Sequence, residues 1–153
     1  MKRCVECGHR AFLASEAEDS VTVAGRTFVR MVPTQRCEQC GADYFEGLDL
    51  KAVEMEAASV LAREGPSNGE TFRFMRKTIG MRTDYLAELL DVAQETLSQW
   101  ENGERAVDRT AWIALSAMVV DKLEGRTTTL DRLSALLEPG SRPKRVHLVA
   151  QTV

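Results

Sequence analysis

The chain has 153 residues, of which 44% are hydrophobic and 28% charged, and its formal net charge at pH 7 is -3. This composition excludes a disordered or fibrous protein and leaves room for one medium domain or two small ones. No apolar run approaches the roughly 20 residues that a membrane helix needs, and the first residues lack the apolar middle of a signal peptide. We therefore expect a cytoplasmic protein, with no membrane partner and with reduced cysteines.

The charge is unevenly distributed along the chain. Residues 1–65 and 66–125 each carry -3, whereas residues 126–153 contain five basic and two acidic residues. A nucleic-acid-binding protein usually presents a basic face rather than a basic total, so this distribution weakens a DNA-binding hypothesis without excluding it.

Two cysteine pairs dominate the N-terminal part, CVECG at 4–8 and CEQCG at 37–41. Each CxxCG can form a tight turn that points both thiolates at one ion, because glycine permits the positive φ that the turn needs. Between the pairs, SVTVAGRTFVRMVPTQR has β-rich runs on both sides of Ala24-Gly25, which predicts a hairpin. The pattern predicts four ligands of one structural Zn²⁺: Cys4, Cys7, Cys37 and Cys40.

Other chemistries remain open for these cysteines. Iron in a rubredoxin-like electron carrier uses the same paired turns, and the ligands alone do not separate the two metals. A dithiol oxidoreductase would need a βαβ context, which the sequence lacks. His9 and His147 are available as ligands, although four thiols already form a complete and closed set.

A helix and a linker follow the second cysteine pair. In LDLKAVEMEAASVLARE the apolar residues Leu50, Val53, Ala57, Val60 and Leu61 recur at helical spacing. The stretch REGPSNG at 63–69 then interrupts the pattern with two glycines and a proline. We therefore predict a zinc-binding domain over 1–65 and a linker over 66–69.

Short helical patterns fill the region from 70 to 125. Four groups each share a helix face: Phe72, Met75 and Ile79; Leu86, Ala87 and Leu90; Val92, Leu97 and Trp100; Trp112, Leu115 and Val119. The connections are short, so an all-α bundle is predicted. Residues 126–153 form a final helix striped by Leu130, Leu133, Leu136 and Leu137, which Pro139-Gly140 ends, and a basic tail with some strand character.

TDYLAELLDVAQETLSQW, residues 83–100, has the features of a helix-turn-helix. Thr83 or Asp84 can cap the first helix, and Ala87 is small where the second helix must cross. Asp91 occupies the turn, where the backbone must take a left-handed conformation that aspartate tolerates. Asn102-Gly103 ends the second helix.

The second helix leaves five side chains facing outward, Gln94, Glu95, Thr96, Ser98 and Gln99. Glutamine matches the donor and acceptor pattern of adenine, and glutamate accepts from cytosine, so these residues are candidate base readers. Affinity would then come from phosphate contacts. The candidates are Arg73, Arg76, Lys77, Arg82, Thr83, Asn102, Arg105 and Arg109. Glu101 is better suited to capping or to an internal ion pair.

The two segments CVECG…VTVAGRTFVRMVPTQRCEQCGADYF and LAELLDVAQETLSQWENGE together resemble the MqsA-type (YgiT-type) antitoxins. The resemblance implies an α+β fold of two domains, with a small zinc-ribbon-like hairpin domain carrying one helix and an all-α bundle of the XRE or phage-repressor type. It also implies that the zinc domain engages a ribonuclease toxin and that the other domain dimerises on palindromic DNA in its own promoter.

Three functions follow from these patterns. The first is an autoregulating antitoxin that forms a homodimer. Leu130, Leu133 and Leu137 are candidate contacts between the two chains, and the same stripe serves equally well for packing within one chain. The second is a stand-alone zinc-containing transcription regulator without a toxin, and the third is an iron electron carrier with a helical appendage. An enzyme is not expected, because the sequence has no constellation of catalytic residues and no phosphate-cradling loop.

Overall fold

The computed structural model describes residues 2–45 and 51–150. The N-terminal region is an antiparallel hairpin of β1 (Phe12–Val23) and β2 (Arg26–Cys37), whose register runs from Phe12 opposite Cys37 to Val23 opposite Arg26. The turn residues Ala24 and Gly25 have φ values of 50° and 78°, as a two-residue hairpin turn of type I′ requires. The hairpin predicted around this turn is confirmed.

The hairpin is longer than the sequence predicts. β1 begins at Phe12, eight residues before the β-rich run that starts at Ser20, because pairing with β2 extends the strand through FLASEAED. A third strand, β3 (Asp43–Phe45), pairs with residues 34–36 of β2 and was not predicted. The sheet order is β1-β2-β3.

Helix α1 (Ala52–Glu64) buries one face that includes Val53, Ala57 and Leu61, as predicted. Val60, which the periodicity assigned to this face, is 44% exposed. The difference arises because the buried face is completed by Ala58 and Ala62, which are next to the expected positions. Leu50 lies outside the described residues.

Five helices follow in the described part of the chain, and they confirm the predicted helical bundle. They are α2 (Gly69–Thr78), α3 (Thr83–Leu90), α4 (Gln94–Glu101), α5 (Arg109–Leu123) and α6 (Thr128–Leu137). An aromatic group forms the centre of the core, where the Phe72 ring lies 6.0 Å from that of Trp100 and 6.2 Å from that of Trp112. The chain is thus an α+β protein with a cysteine-bearing hairpin domain and a helical bundle, as predicted.

The hairpin and α1 share the core of the bundle. Ala58 and Leu61 of α1 and Val23 at the tip of the hairpin belong to the same buried cluster as Phe72. The backbone N–H of Ala24 also donates to a carboxylate oxygen of Glu70 at 3.1 Å. The tip of the hairpin is therefore anchored in the bundle, whereas its cysteine end lies at the other end of the strands.

Gly69, which the sequence placed in the linker, is the buried first residue of α2. The Asn68 side chain caps this helix by accepting from the backbone N–H of Thr71 at 2.9 Å. Asp108 caps α5 in the same way. The predicted cap of α3 was wrong, because Arg82 occupies the cap position without a side-chain hydrogen bond and Asp84 lies inside the helix.

Helix α6 and the tail close the described chain. Leu130 and Leu133 pack against the core, whereas Leu136 is 73% and Leu137 38% exposed. The tail from 139 to 150 contains no strand, in contrast to the strand character that the sequence indicated. None of the helices in the described ranges is both long enough and apolar enough to span a membrane.

Candidate metal centre and nucleic-acid interface

The structure brings the four predicted metal ligands together. The Sγ atoms of Cys4 and Cys40 are 3.4 Å apart, those of Cys7 and Cys37 are 3.6 Å apart, and all four lie within 4.8 Å of one another. A tetrahedral ion with metal–sulfur bonds of about 2.3 Å requires sulfur atoms about 3.8 Å apart. The four thiols therefore fit a tetrahedral metal ion, and they form no disulfide.

Both cysteine turns have the same backbone geometry. Gly8 and Gly41 have φ values of 74° and 76° and donate to the carbonyl oxygens of Cys4 and Cys37 at 2.8 and 3.0 Å. The N–H groups of these two cysteines then donate to the carbonyl oxygens of the residues after the glycines, at 2.8 and 2.9 Å. The repeated CxxCG motif therefore forms two equivalent turns that face each other.

Tyr44 on β3 contacts the first cysteine turn, which the sequence analysis missed. Its hydroxyl oxygen accepts from the N–H of Val5 at 2.9 Å and lies 3.2 Å from Sγ of Cys4. Because the hydroxyl accepts from Val5, its own proton is free to be donated to the sulfur, and this hydrogen bond lowers the pKa of the Cys4 thiol to about 6. The ring of Phe12 packs edge-on against Tyr44, with centroids 5.6 Å apart.

The composition of the site limits its chemistry. Cys4 and Cys37 are buried, whereas Cys7 and Cys40 are exposed. Four thiolates around one ion form a closed set without a coordination position for water or substrate, which is typical of a structural site. Within the described ranges the cluster contains cysteines alone, and neither His9 nor the exposed His147 belongs to it.

The helix-turn-helix is formed by α3, the turn at Asp91 and α4. Asp91 has φ 53° and ψ 48°, the left-handed conformation that the sequence predicted for this position. The N–H groups of Asp91 and Val92 donate to the carbonyl oxygens of Glu88 and Ala87 at 3.2 and 3.0 Å, which satisfies the end of α3. Leu97 and Trp100 of α4 are buried.

The predicted base readers lie on the outer side of α4. Gln94, Glu95 and Ser98 are exposed, whereas Thr96 and Gln99 are half-buried. Gln94 donates from its side-chain amide to the Thr83 hydroxyl at 3.3 Å, so the first residues of α3 and α4 are adjacent. The exposed side chains thus form a polar surface on the side of α4 that faces away from the core.

The predicted phosphate contacts divide into two groups. The first group is accessible to solvent, and the second is the buried Arg76. In the first group Thr83 is half-buried, and six residues are exposed: Arg73, Lys77, Arg82, Asn102, Arg105 and Arg109. Arg82 pairs with Asp84 at 2.7 Å, and both side chains are about half or more exposed. The first group therefore has the solvent accessibility that a contact to phosphate requires.

Arg76 does not belong with them, which corrects the sequence-based assignment. Its side chain is 9% exposed and forms two hydrogen bonds with the carboxylate of Glu101, at 2.5 and 3.0 Å. Its third contact is a donation to the carbonyl oxygen of Met81 at 2.8 Å. These contacts hold the Arg76 guanidinium against the end of α4 rather than in solvent.

Residues 73–118, from α2 into α5, match the family model described as helix-turn-helix, a family of the XRE type. The match confirms the predicted helix-turn-helix and supports a DNA-binding transcription regulator. The matched family consists of DNA-binding regulators rather than enzymes. No curated protein matches the chain.

Proposed function

We propose that this protein is a DNA-binding repressor that acts as the antitoxin of a type II toxin-antitoxin system. In this proposal it binds a ribonuclease-type toxin and represses its own operon. The observation that carries the DNA-binding part is the polar outer surface of α4, which lies within the matched region 73–118 and is flanked by exposed arginines.

The proposed DNA complex contains a homodimer on a palindromic site. The reading helix α4 of each chain enters the major groove, where Gln94, Glu95 and Ser98 are the exposed base readers. The half-buried Thr96 and Gln99 contribute from the edge of the same surface. Phosphate contacts come from the flanking basic and polar residues, which set the register of the helix on the duplex.

The base-reading role is tested by Gln94→Ala in fluorescence anisotropy with the chain's own promoter DNA. We expect a loss of about 1–3 kcal/mol on the promoter and a much smaller loss on a duplex of scrambled sequence, because a base contact provides discrimination. Gln35→Ala, an exposed glutamine on β2, is the matched control and should bind both duplexes like the unaltered chain. Equal losses on the two duplexes for Gln94→Ala would argue against base reading.

The proposed metal is Zn²⁺ in a structural role. The four-thiolate set supports it, because zinc accepts tetrahedral thiolate coordination and binds without redox chemistry. Metal analysis of the purified protein distinguishes the candidates: one equivalent of zinc per chain supports the proposal, whereas iron with visible absorption bands would favour an electron carrier.

A toxin partner is proposed to bind the hairpin. Val29 and Met31, which share one face of β2, are 60% and 55% exposed and form a neighbouring apolar pair on the surface. β1 also has a free edge, because the sheet order places a neighbour on one side only. Both features favour contact with another protein.

Co-expression with the adjacent reading frame tests the antitoxin role. We expect a small stoichiometric partner that survives a high-salt wash and stops growth when it is expressed alone. Val29→Glu with Met31→Glu should release it, whereas Ile113→Glu, a matched change at the 66% exposed Ile113 of α5, should not. Absence of any partner would leave a stand-alone regulator as the function.

A further inference from the structure

The tail beyond α6 concentrates positive charge. Residues 139–153 contain Arg142, Lys144 and Arg145 and no acidic residue, whereas residues 1–125 carry a net charge of -6. All side chains from 139 to 150 are exposed, and this segment forms neither helix nor strand. Pro143 disfavours helix at the centre of the basic cluster, so these three charges project from an irregular and exposed segment.

The tail begins beside the helix-turn-helix. α6 lies against α3, where the Tyr85 hydroxyl and the Ser134 hydroxyl are 3.3 Å apart. Tyr85 lies two residues after Thr83, whose hydroxyl accepts from Gln94 at the start of the reading helix. α6 ends at Leu137, about one turn beyond Ser134, so the chain leaves the fold beside α3, the helix that packs against α4 in the helix-turn-helix.

We propose that the basic segment 142–145, here called the basic arm, binds the DNA backbone next to the groove that α4 enters. The eight residues from Glu138 to Arg145 span up to about 26 Å when extended, at about 3.3 Å per residue. This length is sufficient for the basic arm to reach phosphates of the DNA backbone beyond the fold. The inference rests on the proposed DNA-binding function and adds to it a second, sequence-independent contact.

The electrostatics of the chain favour DNA as the partner of the basic arm. The reading surface itself carries Glu95, and Glu104 lies near its end, while Glu101 is neutralised by its buried pair with Arg76, so α4 provides discrimination but little attraction to phosphate. Three cations on an exposed segment without helix or strand add that attraction, since each neutralised phosphate releases condensed counterions. The acidic strand β1, with Glu16, Glu18 and Asp19, is the competing site for the arm.

The test measures the salt dependence of DNA binding by the full-length chain. Fluorescence anisotropy gives affinities for a 40-base-pair duplex of mixed sequence and for a duplex from the chain's own promoter, between about 50 and 200 mM salt. The full-length chain is compared with an arm variant that carries Arg142→Gln, Lys144→Gln and Arg145→Gln. Its slope of log affinity against log salt should be smaller by about 2.7 per bound chain, which corresponds to three phosphate contacts at about 0.9 each.

Two matched controls separate this effect from general charge and from the remainder of the tail. Lys2→Gln, Arg10→Gln and Lys51→Gln together make the same change in net charge at exposed positions of the N-terminal domain and should leave the slope unchanged. Deletion of residues 146–153 removes the apolar end of the tail but keeps the basic arm, and should also leave the slope unchanged.

The outcomes distinguish this proposal from the proposed function. If the full-length chain binds neither duplex, both are wrong. If it binds and the arm variant has the same slope, DNA binding stands and the arm proposal is overturned. If the arm variant differs from the unaltered chain only in the particle mass measured by light scattering, the arm proposal is also overturned. The arm would then be assigned to β1 of a second chain.

Discussion

Gly69 lies in a stretch whose sequence resembles a loop, yet in the structure it permits a close contact between α2 and α4. A Cβ atom added to it would lie 1.7 Å from the carbonyl oxygen of Trp100. Backbone cannot move away as a flexible side chain can, so Gly69→Ala should destabilise the protein by about 1–3 kcal/mol or more. Urea unfolding measures this loss.

Gly140→Ala is the control for that substitution. Nothing lies within 4 Å of the Cβ that it would add, and the residue is exposed in the segment after α6. Its unfolding midpoint should match that of the unaltered chain. Equal midpoints for Gly69→Ala and Gly140→Ala would show that α2 can shift away from Trp100 at little cost.

The buried pair of Arg76 and Glu101 connects α2 to the last residue of the reading helix. Removing one partner leaves an unpaired buried charge, so Glu101→Ala should lower the free energy of unfolding by about 3–5 kcal/mol. The double variant Arg76→Met with Glu101→Leu removes both charges and should recover most of this loss. A double variant that is as unstable as the two single changes combined would contradict this account.

Single residues were predictable where a local rule decides their environment. The left-handed Asp91 followed from the turn, and the exposure of Gln94 and Ser98 followed from helical spacing around Leu97. Arg76 and Tyr44 were not predictable in this way. Their partners, Glu101 and Cys4, are 25 and 40 residues away in the chain, and no local pattern indicates such contacts.

At the scale of elements, α6 is joined to α5 by a cap that comes from the preceding helix. Asp121 of α5 accepts from the N–H of Thr129 in the first turn of α6 at 2.9 Å, while the residue just before α6, Thr127, provides no side-chain cap. Hydrogen bonds from the backbone and side chain of Thr129, together with Arg126, lower the pKa of the Asp121 carboxyl. This carboxylate therefore stabilises the start of α6 in its ionised form.

This shift predicts a pH-dependent stability. A carboxyl whose pKa is lower in the folded state contributes stability above its ordinary pKa of about 4, and the contribution is lost as the pH falls through the folded value. Asp121→Asn should therefore unfold at lower urea than the unaltered chain at pH 7, and the two midpoints should converge at strongly acidic pH. A difference that stays constant across this range would exclude the ionised carboxylate as its cause.

The cysteine turns should depend on metal. Metal binding in small four-ligand domains contributes on the order of 10 kcal/mol, and the two turns are far from the tip that anchors the hairpin in the bundle. Chelation should speed hydrogen exchange over residues 2–45 near the cysteines and leave α2 to α5 protected. Unchanged exchange around Cys4 and Cys37 after complete metal removal would show that the turns fold without an ion.

Secondary-structure elements were predicted correctly where the residue composition and the hydrophobic periodicity indicate the same element. The β-rich runs around Ala24-Gly25 and the apolar period of α5 fixed the hairpin and the core helix. The first half of β1 was missed because FLASEAED has few β-branched residues and is extended only by pairing with β2. β3 was missed because three residues are too short for a period, and their pairing depends on the second cysteine turn.

At the scale of the whole molecule, the proposed homodimer on palindromic DNA implies a fixed spacing between its two reading helices. Two reading helices in successive major grooves lie about 34 Å apart, one turn of the duplex. Inserting five base pairs between the half-sites of the operator should abolish tight binding, because the second half-site then faces the opposite side of the duplex. Electrophoretic shift with the altered operator checks this, and undiminished affinity would indicate that each chain binds alone.

The length of the hairpin determines the distance between its anchored tip and its cysteine turns. β1 and β2 each have 12 residues, so the cysteine turns lie roughly 36 Å from the tip at about 3.3 Å per residue. The cysteine turns are therefore well separated from the end of the hairpin that is anchored in the bundle. A toxin on the proposed surface of Val29 and Met31, three and five residues from Arg26 at the tip, would therefore sit nearer the helical bundle than the metal site does.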